Sequence, residues 1–150
     1  MVDMRRPPCL VLSALLGLVA CSAKPKPRVD VEVRNVGGLC SPAKSFDAGE
    51  PIEFVVKLEN CAAPCASEVT TGCRVKLEGT TLEVEASASY TVPGEDQDCA
   101  AICHAVRATC TSDPLPAGSY TLRYGQQTTS FEVPSAGTRI EIAKGCVDFP

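Results

Sequence analysis

Residues 73–86 read CRVKLEGTTLEVEA. Apolar and charged side chains alternate through this stretch. Val75 and Leu77 stand between Arg74, Lys76 and Glu78, and Leu82 and Val84 alternate with Glu83 and Glu85. Period-two alternation marks a strand with one wet face and one buried face, because successive side chains of an extended chain point to opposite sides. The same period recurs outward in both directions. Toward the amino terminus, Val29, Val31 and Val33 alternate with Asp30, Glu32 and Arg34. Ile52, Phe54, Val56 and Leu58 do the same, with Val55 making that run partly two-sided. Toward the carboxyl terminus, Tyr120, Leu122 and Tyr124 alternate with Thr121 and Arg123. Phe131 and Val133 follow a short turn containing Gly125, which predicts a hairpin. Further strands are expected at Val106–Thr111 and Arg139–Ala143. Many short strands separated by proline and glycine turns predict an all-β fold, a small β-sandwich or barrel.

The first 28 residues follow other rules. Arg5 and Arg6 precede an apolar run from Leu10 to Ala20. A bilayer-spanning helix needs about 20 apolar residues, so this run is too short to span and fits the core of a secretory signal peptide. The run ends at Leu18-Val19-Ala20-Cys21, which resembles the lipobox of bacterial lipoproteins. The resemblance implies cleavage before Cys21, a diacylglyceryl group on its sulfur and an acylated new amino terminus. The residue after the cysteine is Ser22. In lipoproteins of the enteric type an aspartate there retains the protein in the inner membrane, so the resemblance points to the outer membrane. Ser22 to Arg28 reads SAKPKPR, whose prolines and like charges keep it extended as a spacer. The expected organisation is a signal peptide at 1–20, a lipidated cysteine and tether at 21–28, and one domain at 29–150.

Cysteine arithmetic gives the domain its staples. The chain has ten cysteines. Cys9 leaves with the signal peptide and Cys21 is taken by lipid. Cys40, Cys61, Cys65, Cys73, Cys99, Cys103, Cys110 and Cys146 remain, and an even number in an oxidising compartment predicts disulfides. With seven aromatic residues and no tryptophan, the core is lean and such staples matter. Cys40 is expected to pair with Cys146, because chain ends often lie close together. The others show a pattern. Cys61-Ala-Ala-Pro-Cys65 is followed by Cys73, and Cys99-Ala-Ala-Ile-Cys103 by Cys110. A β-like run follows each third cysteine. One helical turn over 99–103 is expected before the next strand.

This pattern decides the reading of Cys99, Cys103 and His104. Covalent haem uses C-x-x-C-H, but three residues separate these cysteines, and the position matching His104 in the other copy is Ala66. Copper carriers with CxxxC add a distant histidine in a thioredoxin-like fold, which alternates strands with long helices, a pattern missing here. Zinc would compete with disulfide formation. The acidic run 94–98 lacks the EF-hand spacing and reads as a solvated turn. No metal or cofactor site is therefore expected, and with one histidine and no nucleophile motif, no catalysis.

Leu115-Pro-Ala-Gly-Ser-Tyr120-Thr-Leu122 resembles the approach to the penultimate strand of immunoglobulin-like domains, where a tyrosine closes a corner by hydrogen-bonding to upstream backbone. Leu122 stands where antibody domains carry cysteine, and the core tryptophan is missing. The resemblance therefore implies an architecture, a disulfide-rich immunoglobulin-like sandwich, and not membership of the family. Removing Asp3, Arg5 and Arg6 from the 14 basic and 18 acidic side chains leaves 12 and 17, a net charge of −5. Nucleic acid needs clustered Lys and Arg, so it is excluded as a partner. The sequence thus predicts a lipid-anchored envelope protein whose domain binds a protein or glycan partner. Its alternatives are a structural subunit of an envelope assembly and, ranked last, a periplasmic metal or redox carrier using the CxxxC pairs.

Overall fold

The computed structural model describes residues 27–62, 65–94 and 104–145. These residues hold eleven strands and no helix. The strands are β1 Arg28–Arg34, β2 Gly38–Cys40, β3 Ser45–Phe46, β4 Glu53–Ala62, β5 Ser67–Glu78 and β6 Thr81–Pro93. They continue as β7 His104–Thr111, β8 Gly118–Tyr124, β9 Gln127–Val133, β10 Ser135–Ala136 and β11 Glu141–Ile142. The fold is all-β, as the alternation predicts. The helical turn expected over 99–103 lies outside the described residues.

Strand β6 is the spine of the first sheet. Its even-numbered residues Leu82, Val84, Ala86, Ala88 and Tyr90 are buried along one face. The odd-numbered residues face outward. There Glu85 meets Arg74 of β5 and Glu83 meets Arg123 of β8, each directly across the ladder. The charges that break up the apolar residues in the sequence are thus paired across strands. The Arg74 hydrogen bond holds the Glu85 carboxyl below its usual range, against the opposing effect of desolvation.

One edge of β6 is occupied by β5 along its length. The other edge is shared: β1 runs antiparallel beside Ser87–Pro93, and β8 runs parallel beside Thr81–Val84. Strand β9 closes the order beyond β8. The hairpins β5–β6 and β8–β9 both turn in two residues, between Glu78 and Thr81 and between Tyr124 and Gln127. Each turn opens with a glycine at positive φ, Gly79 at 62° and Gly125 at 57°. That is the requirement of the type II′ turn, whose twist matches the strands it joins.

The second sheet has the order β11-β2-β4-β7, and β10 pairs with β3 in a small ribbon. Phe54, Val56 and Leu58 of β4, Leu39 of β2 and Val106 of β7 share one buried cluster with Leu82, Val84, Tyr120, Leu122 and Tyr124 of the first sheet. The two sheets therefore form a sandwich. A disulfide from Cys73 on β5 to Cys110 on β7 joins them, with Cα atoms 5.2 Å apart. The bridge links the third cysteines of the two repeated patterns. Cys40 and Cys65 are disulfide-bonded as well.

The expected tyrosine corner is present. The Tyr120 hydroxyl donates to the carbonyl of Pro116 at 2.8 Å. Its ring stacks on Phe131 at 5.7 Å, and Phe131 meets Phe46 edge-on at 6.3 Å. Three expectations change in extent. Val29, Val31 and Val33 share a face, but only Val33 is buried and Val29 is 52% exposed. Leu77 is 42% exposed, since β5 is an edge strand of its sheet. Of Arg139–Ala143, only Glu141–Ile142 is strand, because Ala143 adopts a left-handed conformation and turns the chain. Pairing also begins at Arg28, opposite Pro93, so the ladder takes in the last residue assigned to the tether.

Candidate functional site

Where β6 changes partner, the two strands sharing its edge meet end to end. Strand β1 stops at Arg34 and β8 stops at Tyr124, opposite Val84. Between them Asn35 bridges the gap. Its backbone N–H donates to the Ala86 carbonyl at 2.8 Å, and its side-chain Oδ1 accepts from the Ala86 N–H at 2.8 Å. Asn35 does this with φ at 50°, a conformation that asparagine tolerates better than other side chains.

A cleft of about 740 Å³ opens beside this junction. Its walls come from both sheets: the turn Asn35–Gly38, Lys57 and Leu58 of β4, Ala105 of β7, the hairpin residues Tyr124, Gln126 and Gln127, and the segment Ala143–Gly145. Several local features shape it. The β4–β7 register shifts between Lys57 and Cys61, a bulge that bends β4 at the cleft wall. Tyr124 and Leu58 are buried beneath the cleft. The Tyr124 hydroxyl donates to the Val36 carbonyl at 2.6 Å and so fixes the turn after β1. Burial pushes the phenol of Tyr124 up to about 12.

Left-handed backbone is concentrated here. Of the nine described residues with positive φ, Asn35, Gly37, Gly125, Ala143 and Lys144 line the cleft or adjoin it. Ala143 (φ 52°) and Lys144 (φ 55°) are consecutive, and the Gly145 N–H donates to the Ile142 carbonyl at 3.1 Å. A four-residue turn with both central φ values positive is type I′, which asks for Asn-Gly. Ala and Lys there each cost roughly 1–2 kcal/mol relative to an unstrained conformation. Strain of this kind clusters at functional sites.

The chemistry available is that of a binding surface. Lys57 and Lys144 bring positive charge, and Asn35, Gln126 and Gln127 bring amides that donate and accept. No carboxylate is among the described lining residues. No group of three or more His, Cys, Asp or Glu is placed to hold a metal ion among the described residues.

The residues singled out from sequence fall elsewhere. Cys73 and Cys110 pair across the sandwich, and Cys40 is fully buried in β2. Cys21, Cys99, Cys103 and Cys146 lie outside the described residues, so the expected Cys40–Cys146 pair and the lipidation site do too. Cys61 and His104 are described only as backbone, in β4 and at the start of β7. None of the cleft residues was named from sequence as a site. The signal that was there lies in the turns: Asn35-Val-Gly-Gly between β1 and β2, and a lysine-glycine pair after the last strand.

No protein-family model matches the chain, and neither a curated protein nor a solved structure matches it.

Proposed function

We propose that this is a lipid-anchored protein of the bacterial cell envelope, held by acyl chains on Cys21, whose disulfide-braced sandwich is a binding module with no catalytic role. The envelope part rests on the lipobox-like Leu18-Val19-Ala20-Cys21 and on the cysteine content, which suits an oxidising compartment. Ser22 favours the outer membrane. The observation that carries the binding part is the cleft at the junction of β1 and β8, built from both sheets and rimmed by polar side chains on strained backbone. Strand β1 begins at the tether and ends at this cleft. Its seven residues give a separation of ~20 Å between anchor and site. A partner seated in the cleft would be held clear of the headgroups.

Two experiments test the two parts. Labelled palmitate should enter the protein in cells, and Cys21→Ala should abolish labelling and leave the precursor uncut. An unlabelled mature form beginning elsewhere refutes the anchor. For the cleft, a photo-crosslinking residue is placed at Gln127 and, as a control, at Asp113, which lies past the far end of β7. An envelope component trapped from Gln127 and not from Asp113 is the expected result. Equal trapping from both sites refutes the cleft as the binding face.

A second reading, a subunit of an envelope assembly, has one observation in its favour. Strand β5 is a twelve-residue edge strand carrying the exposed Val69 and Leu77. An edge of that length can accept another strand. Sedimentation of the mature domain alone, set against the domain in envelope extract, separates the two readings.

A further inference from the structure

We infer that the cleft takes a small polyhydroxylated carboxylate, the chemistry of a uronic-acid sugar, and that Lys144 is the residue that receives its charge. The inference deepens the binding reading above and rests on it.

The lining sets the ligand class. A site for an apolar ligand presents exposed aromatic or aliphatic walls, with few polar groups. Here Leu58 and Tyr124 are buried at 1% and 2% exposure and Val36 is half-buried, while Asn35, Gln126, Gln127 and Lys144 are exposed. Amides that both donate and accept suit hydroxyl groups, which do the same. A lysine acts as a point charge that suits an anionic group, a sugar carboxylate among them. The volume of about 740 Å³ falls in the ordinary range for a small-molecule site. The chain as a whole is acidic, with a net charge of −4, so the exposed Lys144 beside three amides runs against its general charge.

The backbone points to Lys144. Lys57 already has a partner within the protein, which leaves Lys144 as the lysine to consider. Lys144 is exposed and makes no ion pair among the described residues. It occupies the second central position of a type I′ turn, where glycine is the favoured residue. A glycine would make the turn easier and remove the charge. A charged side chain at a strained position on the rim of a cleft is the kind of outlier found at functional sites.

Calorimetric titration of the mature domain at low salt, with digalacturonate, galactose and sodium acetate as probes, tests this. Digalacturonate is expected to bind, with an affinity that falls as salt is added, while galactose and acetate bind at least tenfold more weakly. Lys144→Gln should weaken digalacturonate about tenfold, and Lys144→Arg should retain most of the affinity. The double variant Ala143→Asn/Lys144→Gly separates a ligand role from a structural one: its Tm should rise by several degrees while digalacturonate binding falls. Undiminished binding by that variant overturns the role of Lys144. Galactose or acetate binding as tightly as digalacturonate overturns the ligand class. No binding of any probe, together with specific trapping from Gln127, sinks this inference and leaves the binding face standing. Loss of both sinks both.

Discussion

Removing the bridge between the sheets gives the sharpest test of how the sandwich is held together. Cys73 and Cys110 are 37 residues apart in sequence, and the loop-closure model assigns a loop of that length ~3.8 kcal/mol at 25 °C. Cys40 and Cys65 are also bridged and already restrict the unfolded chain, so the figure is an upper value. Replacing both residues, Cys73→Ala with Cys110→Ala, avoids leaving an odd thiol. The expected loss is about 3–4 kcal/mol, a large share of the 5–15 kcal/mol typical of a domain. Urea unfolding at pH 7, followed by tyrosine fluorescence since the chain has no tryptophan, reads it directly. With an m value of about 1–3 kcal/mol/M, the midpoint should fall by more than ~1 M. The m value itself should rise, because an unfolded chain freed of one crosslink exposes more surface. A midpoint shift under about 0.5 M with m unchanged would refute the reasoning, since the bridge would then not be restricting the denatured chain.

Other perturbations follow from particular contacts. Tyr120→Phe removes the bond to the Pro116 carbonyl and keeps the ring on Phe131, so thermal unfolding should report a loss of ~1–1.5 kcal/mol. Leu122→Ala opens a void at a fully buried position between the sheets and should cost ~2–5 kcal/mol by the same measurement. Gly125→Ala places a methyl 2.8 Å from the Asn35 carbonyl oxygen at φ 57° and should destabilise more than the equivalent change at Gly79, where nothing lies within 4 Å. Tyr124 has its folded pKa raised to about 12 from 10, so its contribution is fully present below pH 10 and is lost as the pH rises toward 12. Unfolding free energy measured across that window should fall with pH, and Tyr124→Phe should flatten the fall.

The strands were legible because their physics is local. Alternation in 73–86 marks the outward and inward faces of β5 and β6, and the Gly125 turn marks the β8–β9 hairpin. Tyr120 carried enough of its surroundings, Leu115-Pro-Ala-Gly, for its corner to be read from sequence. What alternation does not carry is how far the facing sheet extends. Val29 shares a face with the buried Val33 and Leu77 with the half-buried Val75, and yet both are exposed, because cover is a property of the other sheet. The cleft was illegible for a related reason. It is assembled from three separate turns and a bulge, which have no periodicity, and it lies where β1 and β8 share one edge of β6. A parallel pairing between residues 81–84 and 121–124 cannot be inferred from either segment alone. The cysteine count predicted disulfides, of which the Cys73–Cys110 bridge is described, and said nothing about which sheets that bridge joins.

Strand β1 also has a mechanical meaning. A load between the chain before Arg28 and a partner held by Gln126 and Lys144, which lie on other segments, acts along the axis of β1. Its seven residue pairs with β6 then resist together, in shear, instead of opening one after another as in a peeled strand. Strands loaded in this direction give way only when many bonds fail at once. Under the tether proposed above, a domain loaded through β1 transmits force to its attachment while its sheets stay closed.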